Sequence, residues 1–127
     1  MEATSVKTSA TFSGGVHPAG NKELTSHKPT VTAAIPKRVV IPLSQHIGAP
    51  TKPLVVIGQE VKKGEKIGET TGFVSAPVHA SLSGKVVAIG NFPHILGADM
   101  PSIVIESDGK DEWVAGLKET PDYLVLS

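Results

Sequence analysis

A chain of 127 residues, in which twelve basic and twelve acidic side chains cancel to a formal net charge of zero, is one domain's worth of polypeptide without the positive field of a nucleic-acid binder. Aromatic residues make up only 4%, too few for a base-stacking platform, and the absence of cysteine excludes disulfides, thiolate zinc sites and cysteine-ligated iron–sulfur clusters within the chain. No apolar run reaches the ~18 residues of a membrane span, and the N-terminus lacks the apolar core of a signal peptide, so a cytoplasmic setting is the default expectation.

Residues 1–10 are small and polar and read as a tail that cannot bury enough surface to order itself. The ordered part is expected to open at residue 11. There, Gly14-Gly15 followed by Val16-His17-Pro18 reads as a turn rather than a phosphate loop, because Pro18, Gly20 and Asn21 oppose the helix such a loop needs. Residues 31–35, between Pro29 and Pro36, suit an extended strand. Residues 39–43 suit another, near a sheet edge because Pro42 cannot donate to a ladder.

The densest part of the pattern is 54–89, where short apolar runs are cut by Gly58, Gly64, Gly68, Gly72 and Gly84, as in a tightly turned β-domain. Val55-Val56-Ile57-Gly58 is echoed by Val87-Ala88-Ile89-Gly90 at an offset of 32 residues. Two quasi-equivalent halves closing on each other would produce this, and so would chance likeness of two buried strands. Further strands are expected at 86–89 and 102–106, with a loop over 91–101 between them and Asp108-Gly109 as terminator.

Candidate chemistry is sparse. His17, His27, His46, His79 and His94 are not spaced as H-x-H or H-E-x-x-H and have no acidic companion at a ligand interval, so turn or surface histidines are the favoured reading over a metal site. Ser44 with His46, or Ser81 or Ser83 with His79, lacks the G-x-S-x-G elbow and any third member of a hydrolytic triad. Glu60, Glu65 and Glu69 among Lys62, Lys63 and Lys66 read as a solvated charged turn.

The run from Gly58 through Gln59-Glu60-Val61-Lys62-Lys63-Gly64-Glu65-Lys66-Ile67 to Gly68, with Ala76-Pro77 and Ser83-Gly84-Lys85-Val86, resembles biotinyl and lipoyl carrier domains. That resemblance implies a mainly β fold, a barrel-sandwich hybrid with two quasi-equivalent halves. Carrier domains hold their cofactor on a lysine at a hairpin tip, and the corresponding Thr70-Thr71-Gly72-Phe73 has none, so the scaffold is expected without the carrier activity.

A wider resemblance rests on four blocks in order: residues 12–18 (FSGGVHP), 22–25 (KELT), 41–50 (IPLSQHIGAP) and 73–80 (FVSAPVHA). Together they resemble the N-terminal region of the C subunit of the Rnf electron-transport complex. The resemblance implies a peripheral protein on the cytoplasmic side of a membrane complex that couples ferredoxin:NAD⁺ oxidoreduction to ion translocation. It further implies FMN, NADH and two [4Fe–4S] clusters in later regions of the parent protein, none of them in this chain. The expected organisation is a tail over 1–10, a barrel-sandwich hybrid domain over 11–109, and a linker toward a redox domain over 110–127. By itself the chain is expected to be non-catalytic, docking against the redox domains of the same parent protein or other Rnf subunits through a surface that includes Gln45, His46 and His79. The rival readings are a stand-alone carrier domain modified on Lys62, Lys63 or Lys66, and a small-ligand or metal module using His46 and His79.

Overall fold

The computed structural model describes residues 18–117. The expected tail at 1–10, the Gly14-Gly15 turn with His17, and residues 118–127 of the expected linker lie outside these. Residues 18–32 belong to a small unit of their own, whose regular element is a single 3-10 turn, Lys22–Leu24, entered through Asn21 in the left-handed region at φ 49°.

The remaining described residues form a mainly β unit of seven strands: β1 (Arg38–Pro42), β2 (Lys52–Pro53), β3 (Glu60–Val61), β4 (Lys66–Glu69), β5 (Val78–His79), β6 (Gly84–Pro93) and β7 (Asp99–Ser107). They make two sheets, one in the order β1-β7-β6-β3 and one in the order β2-β4-β5, with every pairing antiparallel. β1 is at an edge, as Pro42 requires, since a residue without an N–H is tolerated where no second neighbour needs it.

The backbone of the larger sheet is the β6–β7 hairpin, which runs from Gly84 opposite Ser107 to Pro93 opposite Asp99, with a bulge between Val86 and Ala88. Its length corrects one expectation. Only 94–98 connect the strands, where a loop over 91–101 is expected from the asparagine, prolines and glycine there. Pairing of Asn91 with Pro101 and Phe92 with Met100 overrides that local preference. A second correction concerns 31–35, which are exposed and belong to no strand; the ladder starts at Arg38, where β7 supplies a partner.

The echoed segments take different forms. Residues 87–90 lie inside β6, whereas 54–59 carry the chain from one sheet to the other. Leu54 N–H donates to the Ile67 carbonyl of β4 (2.8 Å), and four residues later Gly58 N–H donates to the Val86 carbonyl of β6 (2.7 Å). Val55 is buried in mid-crossing while Val56 and Ile57 face outward. The junction from β1 is built likewise: Leu43 N–H donates to Pro101 of β7, and the Leu43 carbonyl accepts both the N–H and the hydroxyl of Thr51 at the entry to β2.

Between the sheets the core is almost wholly aliphatic. Leu43, Val61, Ile67, Val86, Ile103 and Ile105 have almost no exposure, and Ile41, Val55, Val78, Ala80 and Leu82 complete the cluster. At the start of β6, a Cβ on Gly84 would lie 2.0 Å from the Glu106 carbonyl oxygen, so no larger residue fits without moving backbone.

Gly84→Ala is therefore expected to lower the unfolding free energy by about 2–3 kcal/mol, because a backbone clash has no rotamer escape. Gly90→Ala, in the same strand but with its nearest neighbour 3.9 Å away, is expected to change it by about 0.5 kcal/mol or less. Urea denaturation at an unchanged m-value checks both.

Candidate docking surface

The loop after β1 carries two of the three sequence-indicated residues. Gln45 turns back on its own loop, its side-chain amide donating to the Pro42 carbonyl at 2.9 Å. His46 reaches across to the β4–β5 loop. Its Nε2 accepts the Ala76 N–H at 3.0 Å, and its Nδ1 lies 3.0 Å from the Ile47 carbonyl, to which it donates in the tautomer this pairing selects.

The two loops are stitched at further points. Ala49 N–H donates to the Val74 carbonyl (3.1 Å), the Ser75 hydroxyl to the Ala49 carbonyl (3.0 Å), and the Thr71 hydroxyl to the Pro50 carbonyl (2.7 Å). Gly48 makes this approach possible. It sits at φ +110°, and a Cβ there would be 2.0 Å from the Val74 carbonyl oxygen. A third loop joins through His94, in the β6–β7 connection. Its Nε2 donates to the Ser44 carbonyl at 3.0 Å while Nδ1 accepts the Leu96 N–H at 3.3 Å.

Two imidazoles thus brace three loops around an open groove of about 560 Å³. Its walls include Ile47, Pro50, Ile95, Leu96 and Met100 beside His46 and His94. Ile47 and Ile95 are 91% and 95% exposed, and Leu96 is exposed with them. Phe73 and Val74, on the loop stitched to this one, are exposed as well. Isolated apolar residues on a surface are ordinary, but several on loops held in place by hydrogen bonds make a preformed apolar face.

His79 does not join this groove. It lies on β5 opposite Lys66 of β4, with its side chain exposed. His94, which sequence reasoning set aside among turn histidines, does join it. The available signal was Ile95-Leu96, an apolar pair placed in a turn between Pro93 and Gly97, where solvated residues are the norm.

Lys62 pairs with Glu112, Lys63 with Asp111 (2.6 Å) and Lys66 with Glu69 (2.7 Å), so each lysine that could take a carrier group is engaged with a carboxylate. The hydrogen bond from Lys66 holds the Glu69 carboxyl below its ordinary range. Among the described residues no three His, Asp or Glu side chains converge as a metal site. The chain has no cysteine and so offers no thiolate ligand for an iron–sulfur cluster.

Comparison with known proteins agrees with this architecture. Residues 10–110 match the family model described as the RnfC barrel sandwich hybrid domain. The chain is 53% identical over 116 residues to the C subunit of the proton-translocating ferredoxin:NAD(+) oxidoreductase complex of Clostridium ljungdahlii, covering 91% of this chain and 25% of that protein. It is 52% identical over 101 residues to the Na(+)-translocating counterpart of Acetobacterium woodii, covering 80% of this chain and 23% of that protein. With the C subunit of the ion-translocating oxidoreductase complex of Pseudomonas aeruginosa it shares 46% over 114 residues, 88% of this chain and 15% of that protein. The chain spans a quarter or less of the length of these relatives.

His46→Ala is expected to speed amide exchange at Ala76 and Ala49 about tenfold and to cost about 1–2 kcal/mol of stability, as for loss of a linking hydrogen bond. The Ile103 and Ile105 amides of β7 should keep their protection, and hydrogen exchange followed by NMR distinguishes the two sets.

Proposed function

Since this chain belongs to the RnfC barrel sandwich hybrid domain family, we propose that it is the non-catalytic docking module of the C subunit in an Rnf-type complex. The observation that carries this reading is the preformed apolar groove, whose exposed isoleucines stand on loops braced by His46 and His94. A rigid apolar face loses little entropy when covered, which favours a protein partner over solvent.

The partner in this reading is a neighbouring surface of the same assembly, on another subunit or on the redox portion of the parent protein. Electron transfer between ferredoxin and NAD⁺, its coupling to ion movement, and the FMN and iron–sulfur chemistry belong to those other parts. The domain contributes placement. No helix among the described residues is long and apolar enough to cross a membrane, which accords with peripheral attachment, here assigned to the cytoplasmic face. Gln45 supports the groove by fixing its own loop, and His79 would contribute only if the partner extends onto the outer face of β5.

The test is made in the full-length protein within its native complex. Ile47→Asp with Ile95→Asp is expected to reduce its co-purification with the other Rnf subunits by tenfold or more and to lower ferredoxin:NAD⁺ activity in membranes in proportion. His79→Ala is expected to leave both within about twofold, the range of ordinary surface substitutions. Normal assembly of the double isoleucine variant would rule the groove out as the docking face.

A further inference from the structure

The β3–β4 turn, whose mixed charges suggest nothing beyond solubility, is a receptor for the chain's own residues 108–117. Lys63 N–H donates to the Glu112 carbonyl and Val114 N–H donates back to the Lys63 carbonyl, both at 2.9 Å, closing a parallel bridge between Lys63 and Trp113. The Lys63 ammonium lies 2.6 Å from the Asp111 carboxylate and 4.8 Å from the centre of the Trp113 ring, combining an ion pair with a cation–π contact. Lys62 pairs with Glu112. Gly64, at φ +81°, leaves just enough room for Trp113 and Leu117, either of which would meet an added Cβ at 3.1–3.2 Å.

Ser83 anchors the other end. Fully buried, its hydroxyl donates to Asp108 at 2.7 Å and accepts the Glu112 N–H at 2.9 Å. The same Asp108 oxygen accepts the Lys110 N–H at 2.9 Å. Exposed ion pairs alone hold a segment weakly. Here they accompany backbone bonds and a buried hydroxyl with both its roles filled. The family match ends at residue 110, so most of this segment lies beyond it.

We propose that residues 108–117 are a docked arm, seated on the Lys62-Lys63-Gly64 turn and Ser83, which sets the point and direction in which the chain leaves the β-domain. What the family resemblance implies is a linker from 110 onward is then, as far as Leu117, an extension of the domain. The arm transmits the orientation of the β-domain to whatever follows it, and this holds whether or not the groove is a docking face.

Acid should weaken the seating. The hydrogen bond from Lys62 holds the Glu112 carboxyl below its ordinary range, and the Lys110 N–H and Ser83 hydroxyl do the same for Asp108. Both folded values are depressed, so their contribution is complete above the ordinary carboxylate range and is lost as pH falls through the folded values. Lys62, Lys63 and Lys110 face these groups as cations, and Glu60 and Asp111 as further carboxylates.

Because the chain has no cysteine, Lys52→Cys with Ala115→Cys takes two spin labels cleanly, and pulsed EPR reads the distance from β2 to the arm. A single narrow distribution is expected, broadening several-fold with Lys63→Met and on acidification. The Val114 amide is expected to exchange at least tenfold more slowly than in a free peptide of residues 108–117. Lys63→Met should remove that protection while the Val86 and Ile105 amides keep theirs, which separates undocking from unfolding. A broad distribution in the unsubstituted turn, a Val114 amide exchanging at the peptide rate, or a Lys63→Met variant with both readouts unchanged would each overturn the proposal.

Discussion

Everything in the β-unit hangs on the backbone pairing of β6 with β7. Its ladder is the longest among the described residues, it supplies the central strands of the larger sheet, and each end of it delivers a different surface. At the closed end, His94 leaves β6 to brace the groove. At the open end, Ser83 before β6 and Asp108 after β7 join to start the arm. At Gly84 the neighbouring strand β7 comes so close that an added Cβ would lie 2.0 Å from the Glu106 carbonyl oxygen.

The groove and the arm are built on one principle. In each, a side chain rich in polar contacts bridges segments distant in sequence through backbone groups: His46 to Ala76, His94 to Ser44, Ser83 to Glu112. Backbone partners make these bridges tolerant of neighbouring sequence but strict about loop geometry, and Gly48 and Gly64 supply that geometry at positive φ. Apolar side chains freed from bracing can then stand outward, as Ile47 and Ile95 do.

Much of the frame was legible in the sequence. Glycine-cut apolar runs indicate a mainly β unit, Pro42 marks an edge strand, and the four sequence blocks lead to the family. The hairpin's true length was not legible, because Asn91, Pro93 and Pro101 carry loop preferences that pairing overrides. Residues 54–59 were opaque for another reason. A segment that bonds to one sheet and then the other obeys no single period, so its burial follows neither strand nor helix. His46 could be singled out by residue type, but the partners that give it a role are thirty residues away. His94 needed the same knowledge and had no motif to draw attention to it. The seat of the arm on the β3–β4 turn was not legible, since mixed charges at 60–69 and 108–112 look alike whether they face solvent or each other.

The hairpin also works as a ruler. Ten residues of β6 at ~3.3 Å each separate the groove loop from the arm's anchor by about 30 Å, and strand geometry quantises that span. A change of two residue pairs would alter it by about 7 Å and keep both surfaces facing as they do, whereas a change of one would turn the outer end of the hairpin over. Homologues with hairpins of other lengths should therefore differ from this one in even steps, and any odd step should come with a bulge like that at Val86 and Ala88 to restore the facing.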